Sequence, residues 1–494
     1  MLVRRIWKEL EAFHKVADRK TLLLTGARQV GKTFIVEAFA KRHYQSLVEI
    51  NFIKEPLAKA IFRDVSDEQD VLRRLSAYAN GRLIPGSTLV FFDEVQECPE
   101  AVTYAKFLAG KGGCHYVYSG SLLGVELKNV RSVPVGFMDE IEMYPLDFEE
   151  FLWANGVGAD AIGEARSAWE ERRKVDSFVH DRLMRYFRLY LVVGGMPAAV
   201  DRYVATNDLS AVVAEQRFVI RAYRRDISKY DPDHVLRIRE VYDLLPAELA
   251  SENRRFKMAS VVPGSRFTRV EDGFLWLKNA GVAIPAYCVE EPKAPLKLSE
   301  KRNLFKLFAN DVGLLAAMYA GGIQLRLLAG ESGLNIGAIY ENVVAQELLA
   351  KGFLPYYYHS KKRGELDFVV ERDGGVTPIE VKSGKDYKRH NALSNVLADA
   401  NYQIAEAFVL NNENLERVGR ITYLPIYMVM FMAAPDLPER LIYRVSGLMS
   451  HVPRQVSGLR SHVRAPGLGS QVSCPRAGSR FARGGSSARR GNGW

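Results

Sequence analysis

Short, uninterrupted apolar runs alternate with helix-period stretches through the first 145 residues. Residues 21–25 (Thr-Leu-Leu-Leu-Thr), 88–92 (Thr-Leu-Val-Phe-Phe) and 115–118 (His-Tyr-Val-Tyr) have the length and continuity of strands buried on both faces. Residues 34–40, Phe-Ile-Val-Glu-Ala-Phe-Ala, read as helix. The alternation predicts a parallel α/β domain over 1–145. From 146 to 232 the pattern is helical, and Gly194-Gly195-Met196-Pro197 is expected to end one helix and begin another. A short helical pair near 241–245 and 274–281, followed by alternating, proline-punctuated segments to Leu298, suggests a winged-helix module over 233–325. A second α/β unit is expected over 326–436. It has a helix at 339–349, strands at 366–370 and 377–382 joined through Arg372-Asp373-Gly374-Gly375 as a hairpin, a helix from Arg389, and a strand at 407–410. The stretch 437–494 is rich in Ser, Gly, Arg and Pro, and its segment 445–455 nearly repeats at 456–466. Such a composition cannot bury a core, so a disordered tail is expected.

Composition changes this picture little. A chain of 494 residues has room for about three domains, and 48% hydrophobic with 26% charged residues are globular values. The apolar stretch 421–434 contains Pro425 and is too short to span a bilayer. The first ten residues carry charges every few positions and read as an amphipathic helix rather than an export signal. Cys98, Cys114, Cys288 and Cys474 lie far apart without metal-ligand spacing, which fits a reduced cytoplasm and no zinc site. The formal net charge of +10 is misleading. Nine of the 68 basic residues and none of the 58 acidic ones fall in 443–494, and without them the balance is 59 to 58. The body of the chain is nearly neutral, so only a local patch could favour nucleic acid.

The strongest chemical signal is Gly26-Ala27-Arg28-Gln29-Val30-Gly31-Lys32-Thr33, set between an apolar strand and a helix. It fits G-x-x-x-x-G-K-[ST], a loop whose backbone N–H groups and following helix N-terminus cradle phosphates. All eight residues are expected to line a nucleotide, with Lys32 reaching the β- and γ-phosphates and the Thr33 hydroxyl ligating Mg²⁺. The run 88–92 ends in Asp93 and Glu94. Asp93 would hold the Mg²⁺ shell and Glu94 would orient the attacking water; alone, the same pattern also describes a core strand capped by solvated acids. Ser119, and after it Ser121, follows the third strand where a small polar group could sense the γ-phosphate, or simply form a turn.

A second constellation lies in the later α/β unit: Glu341 on a helix, Asp367 on one strand, and Glu380-x-Lys382 on the next. Residues two apart on a strand share a face, and the hairpin could bring Asp367 beside them. Carboxylate oxygens suit Mg²⁺ or Mn²⁺, with Asp367 and Glu380 as ligands, Glu341 completing the acid set, and Lys382 positioning a nucleophile. The competing reading is a set of structural ion pairs. Arg254, Arg255, Lys257, Arg266 and Arg269 could face phosphates, although a solvated basic face is the more ordinary explanation.

These residues carry a resemblance. The chain resembles bacterial and archaeal AAA-like, STAND-like ATPases that join a P-loop domain to a winged helix and a C-terminal restriction-endonuclease-like domain of the PD-(D/E)xK type. The likeness rests on G-A-R-Q-V-G-K-T (26–33), F-F-D-E-V-Q (91–96), S-G-S (119–121), Y-P-L-D-F-E-E-F (144–151), G-G-M-P (194–197), R-D-I (225–227), F-K-L-F-A-N-D-V-G-L-L (305–315), E-L-D-F-V-V (365–370) and I-E-V-K-S-G (379–384). It implies ATP and Mg²⁺ as ligands and ATP hydrolysis. Similar sequences usually carry a Gly-Arg pair where this chain has Gly136-Phe137; Arg131 or Arg225 could stand in, or turnover is slow. Three functions follow as expectations: an ATPase whose nucleotide state controls the C-terminal domain, a metal-dependent nuclease regulated by ATP, and a non-enzymatic ATP-dependent signalling or defence switch. DNA or a protein bound through the winged helix, and a second copy of the chain, are the expected partners; a membrane is not.

Overall fold

In the computed structural model the described residues are 2–15, 21–109, 113–120, 136–230, 235–251, 256, 271–319, 321–331 and 333–434. Ser121, Arg131, the basic residues 254, 255, 257, 266 and 269, and the tail from 435 lie outside them.

The described residues before 145 form the expected parallel sheet. Its strands are β1 (Thr21–Thr25), β2 (Ser46–Asn51), β3 (Thr88–Asp93), β4 (His115–Ser119) and β5 (Met138–Glu142), in the order β2-β3-β4-β1-β5. Helix α1 (Ile6–Lys15) precedes β1, α2 (Lys32–His43) follows it, and α3 (Glu68–Ala79), α4 (Pro99–Thr103) and α5 (Ala105–Leu108) are the further α-helices among the described residues of this region. The apolar runs are continuous because both sheet faces are covered. On β1, Leu22 and Leu24 pack with Ile35, Val36 and Phe39 of α2, whereas Leu23 joins Val48, Ile50, Val90 and Phe92 in the opposite core. The period of two along the strand sorts its leucines between two layers.

The helical region opens with α6 (Phe148–Ala154), α7 (Ala159–Glu171) and α8 (Ser177–Val193). Asp147 caps α6 in a capping box with Glu150. Helix α8 ends before Gly194, and α9 (Pro197–Thr206) starts at Pro197, where a missing N–H is harmless. The chain crosses itself tightly at this break. A β-carbon on Gly195 would lie 2.0 Å from the carbonyl oxygen of Leu146. The Gly195 N–H donates to the buried Asp311. Long helix α10 (Leu209–Tyr230) and α11 (Val235–Leu249) follow.

The second sheet is mixed and has eight strands, ordered β12-β13-β11-β10-β9-β8-β6-β7. Helix α12 (Glu271–Asn279) leads into the antiparallel pair β6 (Ala283–Val289) and β7 (Glu300–Ala309). A winged-helix ribbon is expected to end near Leu298 within a module of its own; instead this pair runs on to Ala309 and forms one edge of the later unit's sheet, with β6 parallel to β8 (Tyr356–Ser360). Between them lie α13 (Val312–Met318), α14 (Ile323–Leu328) and α15 (Leu334–Ala350). The hairpin β9 (Gly364–Arg372) and β10 (Gly375–Val381) turns where Arg372-Asp373-Gly374-Gly375 implied, with Arg372 opposite Gly375. After α16 (Asn391–Ala398), β11 (Ala407–Asn411) lies parallel to β10, and β12 (Glu416–Val418) and β13 (Ile421–Pro425) close the other edge. One hydrophobic cluster runs from Leu146 to Met432, through the helices and one face of this sheet. No helix among the described residues is long and apolar enough to cross a membrane.

Candidate functional site: a phosphate loop facing a buried aspartate

The turn from β1 into α2 has the backbone that its glycines imply. Gly26 has φ +128, and a β-carbon there would lie 2.1 Å from the Met143 carbonyl oxygen, so no larger residue fits. Gln29 sits in the left-handed region at φ 69, a conformation few non-glycine residues adopt. Lys32 is 8% exposed and its Nζ donates to the carbonyls of Gly26 and Ala27, both at 2.8 Å, spanning the base of the loop. Burial lowers its pKa to about 8, against the raising pull of Glu94 and Asp93. Val30 is buried in the α2 core, and the start of α9 lies across the loop: Pro197 Cγ is 3.7 Å from where a Gly31 β-carbon would be.

Asp93, at the end of β3, is 3% exposed and fully engaged. Its Oδ2 accepts from the Thr33 hydroxyl at 3.0 Å and from Asn51 Nδ2 at 2.9 Å. Its Oδ1 accepts from the Glu94 N–H at 3.1 Å and from the Ser119 hydroxyl. The expected pair Thr33 and Asp93 is therefore together, and Ser119 joins it through Asp93. Two neighbouring oxygens on an octahedral Mg²⁺ at about 2.0–2.1 Å are about 2.9 Å apart. The 3.0 Å between Thr33 Oγ1 and Asp93 Oδ2 fits that spacing. Asn51 had no motif to announce it. A lone amide at the end of β2 holds Asp93 with one end, while its carbonyl accepts from Ile53 and Lys54 N–H and fixes its orientation. Glu94 stands in a left-handed turn, φ 55, and its carboxylate accepts from Gln96 Nε2 at 2.5 Å.

The loop is also tied to the rest of the chain. Arg28 is ion-paired with Asp226 of α10, and the Tyr223 hydroxyl donates to the Arg28 carbonyl at 3.0 Å. The same hydroxyl accepts from Asn310, which follows β7, at 3.2 Å. Gly281, in the turn between α12 and β6, packs on Ala27: its β-carbon position is 3.2 Å from the Ala27 nitrogen. A cavity of about 700 Å³ opens beside Gly26 and Ala27 and is walled by Glu142, Phe274, Lys278 and Tyr356. Arg225 is exposed on α10, next to the aspartate that holds Arg28, and Phe137 is half-exposed in the place of the expected Gly-Arg pair.

The second constellation also converges. Glu380 Oε2 accepts from Lys382 Nζ at 2.8 Å, as their shared face requires. Asp367 Oδ2 accepts from the Val381 N–H at 2.8 Å. Burial, then the Asp367 carboxylate, pushes the Glu380 pKa up to about 7. Glu341 is fully buried on α15. Between Glu341, Glu365 and Asp367 stands Lys306 of β7, a residue the sequence pattern left unnoticed. Among the described residues, no group of three or more His, Cys, Asp or Glu is arranged to hold a metal ion. The carboxylates here do not fit a divalent cation as they stand.

Residues 18–152 match the family model of an AAA domain. That region is therefore similar to AAA domains, and it holds the phosphate loop and the Asp93 cluster described above. Residues 184–327 and 336–429 match two domains of unknown function, DUF8612 and DUF4143. No curated protein matches. Among solved structures, the chain is similar to the Walker-type ATPase PABY2304 of Pyrococcus abyssi, with 16% identity, 64% of this chain and 96% of the other covered, and a TM-score of 0.41. It is also similar to PCH-2 of C. elegans, with 12% identity, 41% and 62% covered, and a TM-score of 0.24.

Proposed function

We propose that this protein binds ATP with Mg²⁺ at the loop 26–33, hydrolyses it, and uses the nucleotide state to bias the second sheet. The observation that carries this reading is the cluster of Lys32, Thr33, Asp93, Asn51 and Ser119 around one loop. In it, Lys32 would contact the terminal phosphates, Thr33 and Asp93 would hold Mg²⁺, and Glu94 would orient water. The bound Mg²⁺ would supply charge neutralisation on the phosphates. Lys32 now satisfies its ammonium on two carbonyls of its own loop, and a phosphate would compete for it. The carbonyl of Ala27 belongs to the residue that packs on Gly281, and Arg28 is held by α10. A change at the loop therefore has direct neighbours in the helical region and at the start of the second sheet. DNA or protein remains the proposed partner class.

The lysine gives this reading a pH signature. Its ammonium is depressed to about 8 before nucleotide binds. Binding a polyanion to a lysine that is neutral requires proton uptake, so apparent ATP affinity should be flat below pH 8 and fall by up to about tenfold per pH unit above it. Calorimetry across pH 7 to 9.5 in buffers of different ionisation enthalpy checks this. Net proton uptake at high pH supports the role of Lys32, whereas a pH-independent affinity that Lys32→Ala leaves intact refutes it.

A further inference from the structure

Lys306 is a charged residue in a run of β7 that is otherwise apolar and buried from Phe305 to Ala309. Its side chain is 1% exposed. Nζ lies 3.0 Å from Glu365, 3.5 Å from Glu341 and 3.9 Å from Asp367, and 5.2 Å from the centre of the Tyr357 ring. A lysine is almost never buried unless paired. Here one ammonium is shared among carboxylates from α15 and β9, while β7 and β9 are separated in the sheet by β8 and β6. Two further oxygens beside it also hold donors: Asp367 Oδ2 accepts from the Val381 N–H and Glu380 Oε2 from Lys382, while His359 Nδ1 stands 3.6 Å from Glu365 Oε2. A hard divalent cation needs about six oxygen ligands close around it. At this place it would meet a resident positive charge, the Lys306 ammonium, within 4 Å of all three carboxylates.

The geometry assigns Lys306 the part of a built-in cation: it occupies the centre of the Glu341–Glu365–Asp367 pocket in place of a divalent metal. The set therefore ties β7 to β9 and α15 as a metal-independent charge cluster. Asp367, Glu380 and Lys382 keep the order of a metal-dependent nuclease without holding its metal. This assignment is independent of the ATPase reading.

Mn²⁺ titration of the full chain without nucleotide, followed by electron paramagnetic resonance, tests it. The native protein, Asp367→Asn and Glu380→Gln should bind the same number of ions per chain. One additional ion in the native protein, lost in both variants, overturns the assignment. In Lys306→Gln the pocket loses its ammonium and should gain one Mn²⁺ per chain, and that ion should disappear again in Lys306→Gln combined with Asp367→Asn. A folded Lys306→Gln protein that takes up no further ion also overturns it. If that variant does not fold, the comparison among the native, Asp367→Asn and Glu380→Gln proteins decides alone.

Discussion

Glu94→Gln is expected to lower ATP turnover by about two to four orders of magnitude, the range typical for loss of a positioned base, while ATP binding changes little. The side chain sits one residue beyond the buried Asp93, in a left-handed turn that lifts it out of the strand. Glutamine keeps the size and retains an acceptor for Gln96, so the loop around it should hold its shape. It loses the charge that polarises a water. Steady-state phosphate release and equilibrium ATP binding, measured side by side, separate the two effects. A Glu94→Gln protein with native turnover would remove this residue from the chemistry and leave Asp93 as the acid that matters.

The largest effect on stability should come from Gly195→Ala. The added methyl would stand 2.0 Å from the Leu146 carbonyl oxygen, which is backbone and cannot swing away. The Gly195 carbonyl accepts from the Leu146 N–H at 2.7 Å, and the Gly195 N–H reaches fully buried Asp311. Relieving the clash therefore breaks two buried hydrogen bonds as well as the packing of α8 against α9. A loss of about 3 kcal/mol or more is expected. Gly158→Ala is the control: Gly158 has an extended backbone, and nothing lies within 4 Å of the β-carbon it would gain. Urea unfolding should show a large shift of the midpoint for the first and almost none for the second. Equal midpoints would mean that the crossing at Gly195 relaxes freely.

Much of the first site was legible because it is built from local sequence. A strand, eight loop residues and a helix are contiguous, and a strand buried on both faces announces itself as an apolar run ending in Asp93. The hairpin of β9 and β10 was equally legible, since the turn at 372–375 fixes its register. The parallel pairing of β6 with β8 was not. The two strands are separated by β7, α13, α14 and α15, and no local pattern specifies which neighbour a strand will choose. Asn51 and Lys306 were missed for a related reason. Each is an isolated polar residue whose partners are remote in sequence, and a lysine between apolar residues reads as a solvated face. Only the placement of Glu341, Glu365 and Asp367 around it reveals a buried charge with a task. Ser119 was legible as a polar group at a strand end, and its hydroxyl is bound to Asp93.

The most direct test of the account is multiple-turnover ATP hydrolysis by the full chain with Mg²⁺, measured beside Lys32→Ala. The account predicts many phosphates released per chain by the native protein and a rate at background in the variant. Native turnover in Lys32→Ala, or tight ATP binding without phosphate release in the native protein, would contradict it.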